Sequence, residues 1–125
     1  MNNDKKINGL QHKIYGEILD EQKKITRHID AVEHARIVRG ALKEKFPEIK
    51  FRVRSSSFAG GSAVDVWHVG GKIIHVKHKE ITEFVRKFNG YRGDLMDSIY
   101  NVGFEWKNER LCGATFCSYQ GGTDK

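Results

Sequence analysis

The chain has little of what marks a secreted, membrane or disulfide-stapled protein. Its 125 residues hold only two cysteines, Cys112 and Cys117, and one proline, Pro47. Two thiols are too few for a disulfide framework, so the fold must rest on a packed core. No run of about 18 apolar residues occurs, which excludes a helix that spans a bilayer. The opening segment, MNNDKKINGL, is polar and lacks the apolar stretch of a secretion leader. An excess of acid is missing too: 22 Lys and Arg face 16 Asp and Glu, for a net charge of +6. That sign argues against imitation of DNA by an acidic surface and favours anionic partners. The expectation is a cytoplasmic protein with reduced thiols, no membrane partner and no cofactor.

What is present suits one folded unit with an added helix. Apolar residues make up 38% and charged residues 30%, enough for one core and a well-solvated surface. Residues 1–9 are polar and expected to fray. From Leu10 to about Thr26, Leu10, Ile14, Ile18 and Ile25 recur at helical spacing, with Tyr15 and Leu19 as a second row. Gly16 weakens this helix slightly. It reads as an accessory element within residues 1–29 that packs on its own domain or, in a homo-oligomer, on a second copy. Asp30 with Glu33 resembles a capping box and starts a second helix. Ala31, Ala35, Val38 and Leu42 form its stripe beside Ile37 and Ala41, and Pro47 ends it near Phe46. Residues 30–125 are expected to form a single α+β domain.

Within that domain, Ile49, Phe51 and Val53 alternate with Lys50, Arg52 and Arg54, as in a strand with one buried and one solvated face. Ala63 to Val69 and Lys72 to His78 read as two more strands joined at Gly70-Gly71. In that register Val64, Val66, His68, Ile73 and His75 share one face, and Asp65, Trp67, Ile74 and Val76 the other. Neither face is uniformly apolar, so either a bulge resets the register or both faces are partly covered. Glu80 to Phe88 is a short helix on the spacing of Ile81, Phe84, Val85 and Phe88, stopped in left-handed fashion by Asn89-Gly90. Tyr91 to Asn101 is ambiguous. Val102 to Trp106 and Leu111 to Tyr119 suit a final hairpin around residues 107–110, and GGTDK reads as a loose tail. The expected fold is α+β: a small antiparallel sheet of three to five strands, two N-terminal helices, and one short helix after the third strand.

Several of these segments carry a resemblance. The helix end LKEKFP (Leu42–Pro47), the strand KFRVRSSS (Lys50–Ser57), the FAGGS turn (Phe58–Ser62) and the V-x-V-W strand end (Val64–Trp67) are similar to the large polyvalent protein associated domain, the twenty-ninth of its series. KFNGY (Lys87–Tyr91) fits as well, while DLMD (Asp94–Asp97) and the tail around Phe116-Cys117 fit more loosely. The resemblance covers most of the chain. It implies a setting in proteins of phages, prophages and conjugative elements, with a role against host defences. It assigns no catalytic residues.

The residues themselves offer one candidate surface. Lys50, Arg52 and Arg54 project together, and Ser55, Ser56, Ser57, Gly60, Gly61 and Ser62 follow at once. Arginine forks grip phosphate, serine hydroxyls donate, and glycines let backbone N–H groups approach an anion. The same pattern also suits a plain solvated strand face followed by a glycine turn. No G-x-x-x-x-G-K-[ST] loop is present. Phe58, Trp67 and Tyr91 flank the basic segments, and base stacking on such rings adds about 1–3 kcal/mol per base. Trp67 is expected to stay partly exposed, because Asp65 shares its face. Lys50, Arg52, Arg54, Ser55, Ser56, Ser57, Gly60, Gly61, Trp67 and Tyr91 are therefore the candidate anion- or partner-binding residues.

Metal and catalytic readings are weaker. On a strand, His75 and His78 would point to opposite faces, and His68 and His75 would be diagonal. Cys112 and Cys117 are spaced too widely for a zinc knuckle and have no second pair. Asp94 and Asp97 with His68 or His75 would offer carboxylates and a base, but no recognisable nucleophile or cofactor loop accompanies them. A Cys117 nucleophile would need a neighbouring histidine, and a lone cysteine is more often simply buried. The chain therefore reads as a binding protein and not as an enzyme. The leading reading is a phage or mobile-element counter-defence protein that binds stoichiometrically, such as an anti-CRISPR-like inhibitor of a host immune complex. Its partner is then a host defence protein or nucleoprotein in the bacterial cytoplasm. The alternatives are a sponge for a nucleotide immune signal and a nucleic-acid-binding accessory module.

Overall fold

Asp30 starts the helix around which the rest is arranged. In the structure, a computed structural model describing residues 2–70, 75–93 and 99–123, its carboxylate accepts the Glu33 N–H at 2.8 Å. Helix α2 (Ala31–Lys45) follows. The capping box is half made, because the Glu33 carboxylate turns to Arg36 at 3.1 Å instead. Phe46 closes the helix with its N–H on the Leu42 carbonyl, and Pro47 keeps it closed. The stripe buries Ala35, Val38, Ala41 and Leu42 as its spacing predicts, and His34 with them. Ahead of it lies α1 (Asn2–Lys23), which begins at Asn2, so the polar opening residues continue a helix where fraying was expected. The helix docks on its own chain: Ile18 is fully buried, and Glu17 and Glu21 both pair with Arg92. No described helix is long and apolar enough to cross a membrane.

The main sheet contains β2 (Phe51–Phe58), β3 (Gly61–Val69) and β8 (Phe116–Thr123), in the order β2-β3-β8. The antiparallel β2–β3 hairpin closes at the Phe58–Gly61 pair. Gly60 has φ +94°, and the second position of such a tight turn favours glycine for that reason. The other edge of β3 is taken by β8, in parallel. This corrects the expected strand over residues 72–78: from His75 the backbone is helical, in α3 (His75–Arg86), and residues 71–74 lie outside the described part. The physical reason is that Ile81 and Val85, both fully buried, continue a stripe that α3 packs on the sheet, while β8 already satisfies the β3 edge. The sheet is therefore mixed, not antiparallel. A bulge does occur, but in the pairing of β3 with β8 and not in the hairpin expected with residues 72–78: Tyr119 pairs Val66 and Gly121 pairs Trp67, leaving Gln120 as the extra residue. The first three residues of the expected loose tail, 121–123, thus belong to a strand.

A second sheet, β1-β7-β6, joins β1 (Arg27–His28), β7 (Glu109–Cys112) and β6 (Phe104–Trp106), with β1 parallel to β7. Its hairpin turns on two residues, Lys107 and Asn108, both at positive φ (46° and 66°), where a longer loop was expected. The chain then breaks at residues 113–115, so Leu111 to Tyr119 is not one strand. A short pair, β4 (Tyr91–Gly93) and β5 (Ile99–Asn101), completes the described elements. Asn89-Gly90 does not end α3 in left-handed fashion, since neither residue has positive φ. Gly90 is needed instead for close approach: a Cβ there would press on the Asn101 side chain and lie 3.0 Å from the Gly103 nitrogen. The core joins α2 and α3 to Val53, Val64, Val66 and Cys117 on one face of the main sheet, with Phe104 and Leu111 of the second sheet. Each fully buried Leu, Ile or Val there contributes about 1.5–3 kcal/mol.

Candidate functional site

Alternation along β2 sorts the predicted residues. Arg52, Arg54, Ser56 and Phe58 are exposed on the face opposite the helices, while Val53 is buried and Ser55 half-buried on the helix side. Ser55 thus leaves the group expected to act together. Lys50 precedes the strand, and its carbonyl accepts the Val69 N–H at 2.8 Å. By antiparallel alternation, Phe51, Val53, Ser55 and Ser57 then turn their backbone groups to the free edge of the sheet. Arg39 reaches across from α2 and donates to the Val53 carbonyl at 2.9 Å, blunting that edge.

Beside this edge runs a basic groove. One cavity of ≈ 370 Å³ is lined by Arg39, Lys43, Pro47, Glu48, Ile49, Lys50 and Phe51. A second of ≈ 330 Å³ adjoins it through Arg39, Lys50 and Phe51, and adds Arg52. Both fall in the range of about 300–1,000 Å³ usual for ligand sites. Among the described lining residues Glu48 is the one carboxylate, and it lies 3.8 Å from Lys77, so positive charge dominates there. Arg39 and Lys43 were missed in the sequence. They are four apart on the polar side of α2, a pattern that looks like ordinary solvated helix until β2 is placed beside it.

The turn residues lie elsewhere. Phe58 and Gly61 sit at the far end of the hairpin from Arg52, roughly 20 Å away along the strand. Gly61 has a structural reason: a Cβ would stand 2.6 Å from Thr115 Oγ1, which also accepts the Ser62 N–H at 3.3 Å. At this end Phe116 packs between Phe58 and Tyr91, with ring centroids 6.4 and 5.8 Å away. Phe58 and Tyr91 stay 48% and 43% exposed, so the row offers open ring surface. Trp67 is half-buried and pairs with Arg52, at the basic end. The ten candidate residues therefore do not meet: Lys50, Arg52 and Trp67 stand at one end of the hairpin, and Gly60, Gly61 and, from β4, Tyr91 at the other.

Three of the six histidines sit at two structural sites. His34 is buried and stacks on Phe104 at 4.6 Å. Its Nε2–H donates to the Phe88 carbonyl at 2.9 Å, and its Nδ1 accepts the Ala114 N–H at 2.9 Å, which fixes the neutral tautomer. Burial pushes its pKa down to about 4. In the second cluster, Tyr119 Oη lies 2.6 Å from His68 Nδ1 and 2.9 Å from His78 Nδ1, joining β8, β3 and α3. Burial raises the Tyr119 phenol above its usual value, so it remains an O–H at neutral pH. Because residues 75–78 are helical, positions 75 and 78 fall on one side of α3, contrary to the strand-based expectation. Among the described residues no group of three or more His, Cys, Asp or Glu is arranged to hold a metal ion. Cys112 and Cys117 lie in different sheets. The Cys117 thiol is pushed up to about 12, first by burial and then by Asp65, the direction opposite to that of a nucleophile. Asp94 and Asp97 lie outside the described residues.

Comparison with known proteins finds a family match. The family model of large polyvalent protein associated domain 29 matches residues 29–122, from just before the Asp30 cap to the end of β8. No curated protein and no solved structure matches the chain. The family is of the kind associated with phage and mobile-element proteins. α1 falls outside the matched span, while α2, α3 and the main sheet fall within it. The chain belongs to the large polyvalent protein associated domain 29 family.

Proposed function

We propose that the chain is a counter-defence protein of a phage or mobile element that acts by stoichiometric binding. It occupies an acidic or phosphate-bearing surface of a host immune complex, in the manner of an anti-CRISPR inhibitor. One observation carries this reading: Arg39 and Lys43 from α2, with Lys50 and Arg52 at the start of β2, line two adjoining cavities. Charges so grouped steer an anionic partner and fix its register. Family membership supports the biological setting. Binding is favoured over turnover because the Tyr119 cluster bonds to itself and the Cys117 thiol is held protonated.

The test is a titration of a purified host defence complex with this protein. Inhibition should saturate at equimolar amounts, and Lys43→Glu with Lys50→Glu should weaken it at least about tenfold without lowering the melting temperature. Inhibition at trace amounts would mean catalysis. Unchanged inhibition by the folded double variant would remove the groove. The volumes of the paired cavities, ≈ 370 and ≈ 330 Å³, favour a second reading, sequestration of a nucleotide signal. A nucleotide retained through purification of the wild type, and lost from the double variant, would select it.

A further inference from the structure

The outer face of the main sheet is a second surface, and its residues meet in three rungs. Nearest the hairpin turn are Ser56, Ala63 and Phe116; next come Arg54, Asp65 and Ser118; then Arg52, Trp67 and Gly121. The helices pack on the opposite face, through Val53, Val64 and Val66. Rings stand at both ends. At one, Phe116 carries the half-exposed Phe58 and Tyr91. At the other, Trp67 has Gly121 beside it, where a Cβ would meet nothing within 4 Å. Among the described residues no other ring packs on Trp67, which is half-exposed. The two ring stations are four residues apart on β3, roughly 13 Å.

Between and beside them lie charged and hydrogen-bonding groups. Arg54 and Arg52 occupy the β2 side. In the middle, Asp65 accepts from the Gln120 amide at 3.1 Å, and the same amide donates to Ser118 Oγ at 2.6 Å. An apolar protein partner would need a continuous greasy patch, which Arg54, Asp65 and Gln120 interrupt. A strand of nucleotides alternates the same two chemistries, flat rings and anions. A duplex hides its base faces, so the match is to a single strand.

We propose that the outer face binds single-stranded nucleic acid. Bases stack on Trp67 and on the Phe58–Phe116–Tyr91 row, and Arg52 and Arg54 take the phosphates. The Asp65 carboxylate repels a phosphate but accepts from the amino group of a base edge, so the backbone runs along the β2 side. This site is separate from the edge groove, touching it only at Arg52, and does not depend on the counter-defence reading.

Fluorescence anisotropy with a labelled single-stranded oligonucleotide of about 12 nucleotides tests it, since such strands span the site sizes typical of stacking platforms. Binding should weaken with salt at a log–log slope of about −1.4, the value for two phosphates on a single strand. Trp67→Ala should lose about tenfold or more, and so should Tyr91→Ala, whose exposed ring can be removed without touching the core. Lys79→Ala, on the exposed side of α3 and away from both surfaces, should change affinity by less than about threefold. A blunt duplex of the same length should compete poorly. The proposal is overturned if the wild type fails to bind at low salt, if duplex binds as well as single strand, or if folded Trp67→Ala and Tyr91→Ala bind like the wild type.

Discussion

Along β3, neighbouring residues belong to different worlds. Val66 is completely sealed and His68 is 5% exposed, while Trp67 between them is half open to solvent. The same holds on β2, where buried Val53 stands between exposed Arg52 and Arg54. On the inner face, polar groups are tied down: His68 and His78 share the Tyr119 hydroxyl, and His34 is bonded at both nitrogens. On the outer face, arginines, open rings and a lone carboxylate share three rungs. One strand pattern therefore writes the core into alternate residues and turns the others to the outer face. Substitutions should sort by which face they touch, not by their position along the chain.

The strongest break in that contrast is Leu42→Ala, in the helix that covers the inner face. It should cost about 2–5 kcal/mol in urea denaturation. A loss within a few tenths would show that the core is not continuous there. Next in size is the pH response of His34, whose pKa is lowered to about 4 by burial. Near neutrality the ring is uncharged in both states. As pH falls, the unfolded chain takes up a proton near 6.5 that the native ring refuses until about 4. Stability should therefore drop by about 3 kcal/mol between roughly pH 7 and 4. His34→Gln should be less stable at neutrality yet lose less over that window. An unchanged slope in the variant would assign the pH dependence to other groups.

Smaller again is Tyr119→Phe, which removes the hydroxyl between His68 and His78 and should cost about 1–3 kcal/mol by leaving a buried ring nitrogen unpaired. A neutral result would mean that water replaces the hydroxyl. At the bottom of the scale, Arg54→Ala on the outer face should shift stability by no more than about 0.5 kcal/mol. A larger loss would draw the outer face into the fold and blur the distinction.

Much of the scaffold was legible because its signals are local. Asp30, the Ala35–Leu42 stripe and Pro47 mark α2, and the alternation around Arg52 marks β2 and its faces. The parallel pairing of β3 with β8 was not legible, because Val64 and Cys117 are far apart in the chain and neither segment names its partner. For the same reason the pattern of residues 72–78 reads as a strand, although from His75 the chain is helical and β8 takes the β3 edge. Asn89-Gly90 looked like a left-handed stop, whereas the glycine is set by Asn101 and Gly103 packing against it. The candidate site was half visible. Lys50 and Arg52 announced a basic strand, but Arg39 and Lys43 gain meaning only once α2 lies along the free edge. The Phe58–Phe116–Tyr91 row likewise needs three separate segments to meet.

The claim that function lies on the groove and outer face, not in the histidine cluster, is tested most directly by phage plating on a defence-carrying host. The host would express either Arg52→Glu with Arg54→Glu or Tyr119→Phe, with folding of each protein checked in parallel. The arginine variant should stay folded and lose protection, while Tyr119→Phe should protect the phage like the wild type. Protection retained by the arginine variant and lost with a folded Tyr119→Phe would contradict the claim.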